Sequence, residues 1–214
     1  MNSQEKEISY VTTNSYATLN ALNKQTKNVW FVCHGMGYLS RYFLKYFKNL
    51  NPIENYIIAP QAPSKYYIQP KMHVGANWLT REDTVRDTEN IMNYFDEIFR
   101  EEKIPNSLNL FVFGYSQGVS VALRYVAKRK LKCSLLVLHS GGIPKELDSA
   151  DFKHLNNKTQ VKIIYGTEDE YLNSSRIVDE TKRAKELFGE MLTVLPFEGK
   201  HIVNVDYINN LELL

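Results

Sequence analysis

The sequence predicts an α/β fold, a mostly parallel central sheet with helices on both faces, formed by residues 1–214 as one domain. Three observations carry this expectation. Short runs are continuous in apolar residues, as strands buried on both faces require. Between them lie segments whose apolar residues recur at helical intervals. The two kinds alternate along the chain, as right-handed βαβ crossovers demand. A chain of 214 residues with 43% hydrophobic and 23% charged content suffices for one covered sheet, and its 14 Tyr and 10 Phe exclude a disordered composition.

In order, residues 8–19 alternate loosely around Asn14-Ser15 and predict an edge hairpin. Residues 28–33 form an apolar strand that stops at His34-Gly35-Met36-Gly37. Leu39, Phe43, Leu44 and Phe47 are helically spaced, Asn51-Pro52 closes that segment, and a strand follows at 56–59. Residues 60–78 read as a long irregular loop, of the kind that is functional or mobile. Val85, Thr88, Ile91, Phe95 and Ile98 mark a helix face whose first turn is acidic at Glu82 and Asp83. The strand at 110–115 leads into a helix with Val119, Leu123 and Val126 inside, ending in Lys128-Arg129-Lys130 as a solvated terminus. Further strands are expected at 134–138, 161–165 and 191–197, with a helix capped by Ser174 or Ser175 between the last two.

A net charge of +2 gives no nucleic-acid footprint. The amino terminus lacks an apolar leader and no run reaches membrane-spanning length, so the expected location is cytoplasmic, without membrane insertion. Cys33 and Cys133 fall on buried strands and read as small hydrophobes rather than as a disulfide, a metal site or a thiol nucleophile.

Chemistry concentrates at Ser116, held between Gly114 and Gly118 where a strand turns into a helix. Such a corner exposes the hydroxyl and needs small neighbours. A serine attacks only if a base takes its proton, and that base needs a group to orient it. Of the five histidines, His154 sits in a polar loop, His73 in the long loop, His139 beside the site and His34 in a glycine-rich turn, leaving His201 as the base. Glu168, Asp169 and Glu170 compete for the orienting acid. Acyl transfer also develops an oxyanion, for which the N–H groups of Gln117, at a helix start, and of Met36 are the candidate donors. Tyr66, Tyr67, Ile68, Met72 and Trp78 of the long loop are candidates to line an apolar acyl site.

Seven segments then carry a more specific resemblance: His34-Gly35-Met36-Gly37, Ala59-Pro60-Gln61-Ala62-Pro63, Asn77-Trp78-Leu79, Gly114-Tyr115-Ser116-Gln117-Gly118, Ser140-Gly141-Gly142-Ile143-Pro144, Gly166-Thr167-Glu168-Asp169 and Glu198-Gly199-Lys200-His201. Together, over about residues 28–201, they resemble the phospholipase/carboxylesterase family of α/β-hydrolases, the group that includes the acyl-protein thioesterases. The resemblance implies an α/β-hydrolase fold and a serine esterase acting on carboxylic or thioester bonds, with no metal or organic cofactor. It selects Asp169 as the acid, in the chain order Ser116, Asp169, His201. Glu170-Tyr171-Leu172-Asn173 departs from the family's Pro-Val-Val-Pro-like turn after the acid, the last helix is shorter, and the segment 64–77 differs.

The expected function is therefore a serine hydrolase that cleaves small to medium acyl esters or thioesters through an acyl-enzyme. The alternatives are a peptidase or acyltransferase on the same residues, and a non-catalytic ligand-binding domain of this fold. Its partner is a small-molecule ester or thioester, and a homodimer is compatible with the sequence.

Overall fold

The computed structural model describes residues 3–211. Its frame is a seven-stranded sheet of order β1-β3-β2-β6-β7-β8-β9. The strands are β1 (Tyr16–Leu19), β2 (Asn28–Cys33), β3 (Asn55–Pro60), β6 (Asn109–Tyr115), β7 (Leu135–His139), β8 (Gln160–Gly166) and β9 (Leu192–Phe197). β4 (Ser64–Ile68) and β5 (His73–Asn77) form a separate antiparallel pair. Only β1 runs against its neighbour in the large sheet; the other pairs are parallel. The helices are α1 (Ser40–Phe43, continued by a 3₁₀ turn), α2 (Thr84–Glu102), α3 (Gln117–Lys128), α4 (Ser174–Phe188) and α5 (Val205–Asn210).

Alternate side chains of each strand feed two apolar layers, because successive residues point to opposite faces. From β2, Val29, Phe31 and Cys33 enter the layer covered by α2, α3 and α4, while Trp30 and Val32 enter the one covered by α1 and α5. Phe31 meets the rings of Phe95 and Phe99 at 4.9 Å and of Tyr125 at 5.9 Å, which locks α2 and α3 onto the sheet centre. Burial on both faces is why these strands read as continuous apolar runs. It also holds β6, the strand that ends at Ser116, in the middle of the sheet.

Several local expectations are corrected. Residues 8–15 form no strand; β1 alone pairs with β3, and Asn14 and Ser15 are tied instead to the Gln61 carbonyl and the Tyr94 hydroxyl. The stretch 60–78 is not irregular: β4 and β5 pair in register Ser64↔Asn77 to Ile68↔His73. Four of the five β4 residues are exposed, so no inward–outward alternation marks the strand in the sequence. Helix α2 begins one residue after Asp83, leaving Asp87 as its first-turn acid. Asn173 caps α4 by accepting from the Arg176 N–H, in place of Ser174 or Ser175. Within the basic cluster 128–130, Arg129 is not simply solvated, since it bridges to Asp96 at 2.8 Å and Glu89 at 2.7 Å on α2. The last helix spans Val205–Asn210, within the short stretch 203–214, of which 212–214 lie outside the described residues. Cys33 and Cys133 are free and buried, as expected. Among the described residues, no helix is long and apolar enough to cross a membrane.

Candidate active site

The carboxyl ends of β6, β8 and β9 deliver three side chains to one place. β6 runs directly into α3, and both glycines of the corner are there for close approach. A Cβ on Gly114 would lie 2.5 Å from the Val119 Cα, and one on Gly118 would lie 2.0 Å from the Cys33 carbonyl oxygen. Any larger residue would push α3 off the sheet. Ser116 sits at φ 52°, ψ −119°, a region rarely occupied by residues with side chains, and its N–H is fixed on the His139 carbonyl at 2.8 Å.

His201 follows β9 and meets the serine: its Nε2 is 2.9 Å from Ser116 Oγ. Its Nδ1 is 2.7 Å from Asp169 Oδ2. The second Asp169 oxygen accepts the N–H groups of Tyr171 at 2.8 Å and Leu172 at 2.9 Å. A carboxylate with a fully buried side chain is thus held by three donors, which compensates its desolvation. Of the three competing acids, Asp169 makes the contact to the imidazole, while Glu170 reaches only the His201 N–H at 3.4 Å. With Nδ1 donating to Asp169, Nε2 is left as the acceptor for the serine proton. This arrangement can deprotonate Ser116 and stabilise the imidazolium that forms.

The segment around His201 is fastened from below. Tyr115 donates to the His201 carbonyl at 2.9 Å, and buried His139 accepts the Asn204 N–H on Nε2 at 2.9 Å. His139 Nδ1 lies 3.1 Å from Ser140 Oγ, so the ring is a neutral tautomer that donates there. Burial first, then the neighbouring His201, lowers its pKa to about 3. His139 therefore fastens the loop that carries His201.

Met36 and Gln117 flank Ser116 in the wall of a cleft of about 1010 Å³, and Gln117 opens α3, where N–H groups have no intrahelical acceptor. His34 supports the Met36 loop from inside the core, accepting the Ala62 N–H on Nε2 at 3.2 Å and donating from Nδ1 to the Gly35 carbonyl at 2.8 Å. Burial lowers its pKa to about 4, which keeps it neutral. Burial likewise pushes the Cys33 thiol far up, which rules it out as a nucleophile.

The aromatic candidates are placed differently from the expectation. Trp78 does not line the cleft; it is 1% exposed and donates from Nε1 to the His34 carbonyl at 2.7 Å. Its indole is core because the N–H finds that buried acceptor. Tyr66, Tyr67, Ile68 and Met72 belong to the β4–β5 hairpin and its turn, outside the set of residues lining the cleft. Ile68 packs on Gly37 and Gly75, and the Gly37 N–H bonds the Ala76 carbonyl at 2.8 Å, so the hairpin braces the Met36 loop. His154 is not simply solvated, since its Nε2 is 3.1 Å from the Leu131 carbonyl.

Two features escaped the sequence. The Gln117 side chain accepts the Trp78 N–H at 2.9 Å and donates to the Leu79 carbonyl at 2.8 Å, stapling residues 77–79 to the nucleophile corner. The second is a charged wall from α4, which no periodicity could announce because its partners are backbone groups of a distant loop. Glu180 accepts the Ile143 N–H at 2.8 Å, and Arg183 donates to the carbonyls of Pro144, Lys145 and Leu147. Among the described residues, no cluster of His, Cys, Asp and Glu could hold a metal ion.

Comparison with curated protein sequences finds no match. Solved structures of the same fold are numerous. The acyl-protein thioesterase 2 of Zea mays superposes with a TM-score of 0.69 at 14% identity, covering 93% of this chain and 96% of that one. A phospholipase/carboxylesterase from Dyadobacter fermentans gives 0.67 at 18% identity, over 96% and 99% of the two chains. The carboxylesterase of Bacillus cereus gives 0.66 at 17% identity, over 94% and 92%. At these identities the likeness establishes the α/β-hydrolase fold. The family itself follows from the match of residues 14–206 to the Phospholipase/Carboxylesterase model: this chain belongs to the phospholipase/carboxylesterase family.

Proposed function

We propose that the protein is a serine carboxylic-ester hydrolase that cleaves small to medium acyl esters or thioesters through an acyl-enzyme. The observation that carries this reading is the hydrogen-bonded series Ser116 Oγ, His201 Nε2, His201 Nδ1, Asp169 Oδ2, with separations of 2.9 and 2.7 Å at its two links. Ser116 Oγ attacks the carbonyl carbon as its proton passes to His201 Nε2. The carbonyl oxygen takes up the negative charge between the N–H groups of Met36 and Gln117. His201 then hands the proton to the departing alcohol or thiol, leaving the acyl group on Ser116. Water, deprotonated by the same nitrogen, releases the acid and restores the serine. Asp169 keeps Nδ1 protonated throughout and stays ionised. Two buried free thiols, Cys33 and Cys133, fit a reducing compartment, which supports a cytoplasmic location for the reaction.

A fluorophosphonate probe tests the nucleophile. It should label the wild-type protein and leave Ser116→Ala unlabelled, with hydrolysis of p-nitrophenyl esters and acyl-CoA thioesters lost in the same variant. Equal labelling of both proteins would refute the assignment.

A further inference from the structure

The cleft beside Ser116 is apolar along Ile143, Pro144 and Leu172 but ends in charge, with Lys145, Arg176, Asp179, Glu180 and Arg183 in its wall. These five side chains are not equivalent. Arg183 turns its Nη2 onto three backbone carbonyls and keeps a buried Nε without a partner, and Glu180 is held by the Ile143 N–H. Both act as straps that fix the loop after β7 to α4. Asp179 and Lys145 are exposed on the flanks. Arg176 is different, because its side chain is half exposed to the cleft while Arg183 is tucked under the loop. Its Nη1 donates to the Tyr171 carbonyl at 3.1 Å, and its Nε forms an ion pair with Glu180 Oε1 at 3.6 Å. A guanidinium has five N–H donors in a rigid plane, so two anchors orient it and leave an edge for a ligand.

Arg176 and Ser116 line the same cleft. A Cβ on Gly142 would lie 2.8 Å from Arg176 Nη2 and 2.9 Å from Glu180 Oε1, so the ion pair leans over Gly142, with Nη2 as its cationic edge. The preceding residue, Gly141, is pressed against the nucleophile, since a Cβ there would lie 2.3 Å from the Ser116 carbonyl oxygen. Two consecutive glycines therefore bridge Ser116 to Arg176 and keep the floor between them free of side chains. An extended substrate lying along that floor would have its reacting carbonyl at Ser116 and its far end at the guanidinium.

We infer that Arg176 is a specificity-determining residue that binds an anionic group on the substrate, a carboxylate or phosphate displaced from the ester or thioester bond. This rests on the serine-hydrolase reading and narrows its substrate class from simple acyl esters to those carrying a second, charged end.

The test is a ratio of kcat/KM values, charged over neutral substrate, measured within each variant. For an anion on the acyl side, the pairs are the 4-nitrophenyl hemiesters of adipic and suberic acid against 4-nitrophenyl hexanoate and octanoate. For an anion on the leaving group, the pair is butyryl-CoA against butyryl-N-acetylcysteamine. In at least one arm the ratio should favour the charged substrate in the wild-type protein, fall about tenfold in Arg176→Gln, as a half-exposed charged hydrogen bond implies, and recover partly in Arg176→Lys. The preference should also shrink in 1 M salt. A merely structural Arg176 would lower both members of every pair together, and an unchanged ratio in both arms overturns the inference while leaving the serine mechanism standing. If the wild-type protein hydrolyses no ester, the serine reading fails. Calorimetry of suberic acid monomethyl ester with the wild-type protein and Arg176→Gln then decides the subsite alone: binding lost in the variant supports it, and equal or absent binding in both overturns it.

Discussion

Asp169 joins three donors with two oxygens, and its replacement by asparagine separates its two duties. In Asp169→Asn, Oδ1 can still accept the Tyr171 and Leu172 N–H groups, so the loop should hold and thermal stability should change little. The new amide N–H₂ faces His201 Nδ1, however, and forces the tautomer that cannot receive the serine proton. We expect kcat/KM for p-nitrophenyl esters to fall about 10³–10⁴-fold, with an unchanged far-ultraviolet spectrum. That Ser116 and His201 would meet was legible in the sequence because a hydroxyl between two glycines at a strand end, and a histidine after a later strand, fall at the same edge of a parallel sheet. The acid was less so: three consecutive acidic residues satisfy the same chemistry, and only the turn geometry decides which carboxylate faces the ring. Trp78 misled for a related reason. An indole in a proline-containing stretch looks available for ligand, and its buried acceptor, the His34 carbonyl, is 44 residues away in sequence.

At the scale of elements, the corner between β6 and α3 is set by contact rather than by propensity. The Cβ of an alanine at position 118 would be 2.0 Å from the Cys33 carbonyl oxygen, with backbone on both sides of the clash. Gly118→Ala should therefore destabilise the protein by at least about 3 kcal/mol, read as a lowered urea midpoint or as insoluble expression. The central strands and the long helices were legible because burial on both faces, or on one stripe, writes a periodicity into the chain. The β4–β5 hairpin was not, because its outward residues obey no such rule and its inward ones are Gly75 and Ala76. The strapping of the loop after β7 by Glu180 and Arg183 was invisible for a further reason. A side chain that bonds backbone leaves no complementary residue type in the partner segment.

Over the whole molecule, two neutral histidines sit under the site and tie stability to pH. His34 and His139 have folded-state pKa values lowered by burial to about 4 and about 3, from an ordinary 6.5. Below pH 6.5 the unfolded chain binds protons that the folded chain refuses, so their contribution is complete above that pH and is lost as pH falls toward 4 and 3. Each lowers stability by about 1.4 kcal/mol per pH unit inside that window. Urea denaturation between pH 7 and 5 should show this slope, and His139→Gln should reduce it by about one histidine's share. An equal slope in both proteins would place the proton uptake elsewhere. Alternation of strands and helices announced a parallel sheet, but not the order of its strands, which depends on pairings between residues distant in the chain. That order has one more consequence. β9, which carries His201 at its end, is the outermost strand on its side and pairs with β8 alone, whereas β6, which carries Ser116, has neighbours on both sides. Fraying at that margin would part His201 from Ser116 while Ser116 stayed in its place. On the proposed mechanism, loss of activity and loss of fold are thus separate events, and the molecule would fall silent while most of its sheet is still intact.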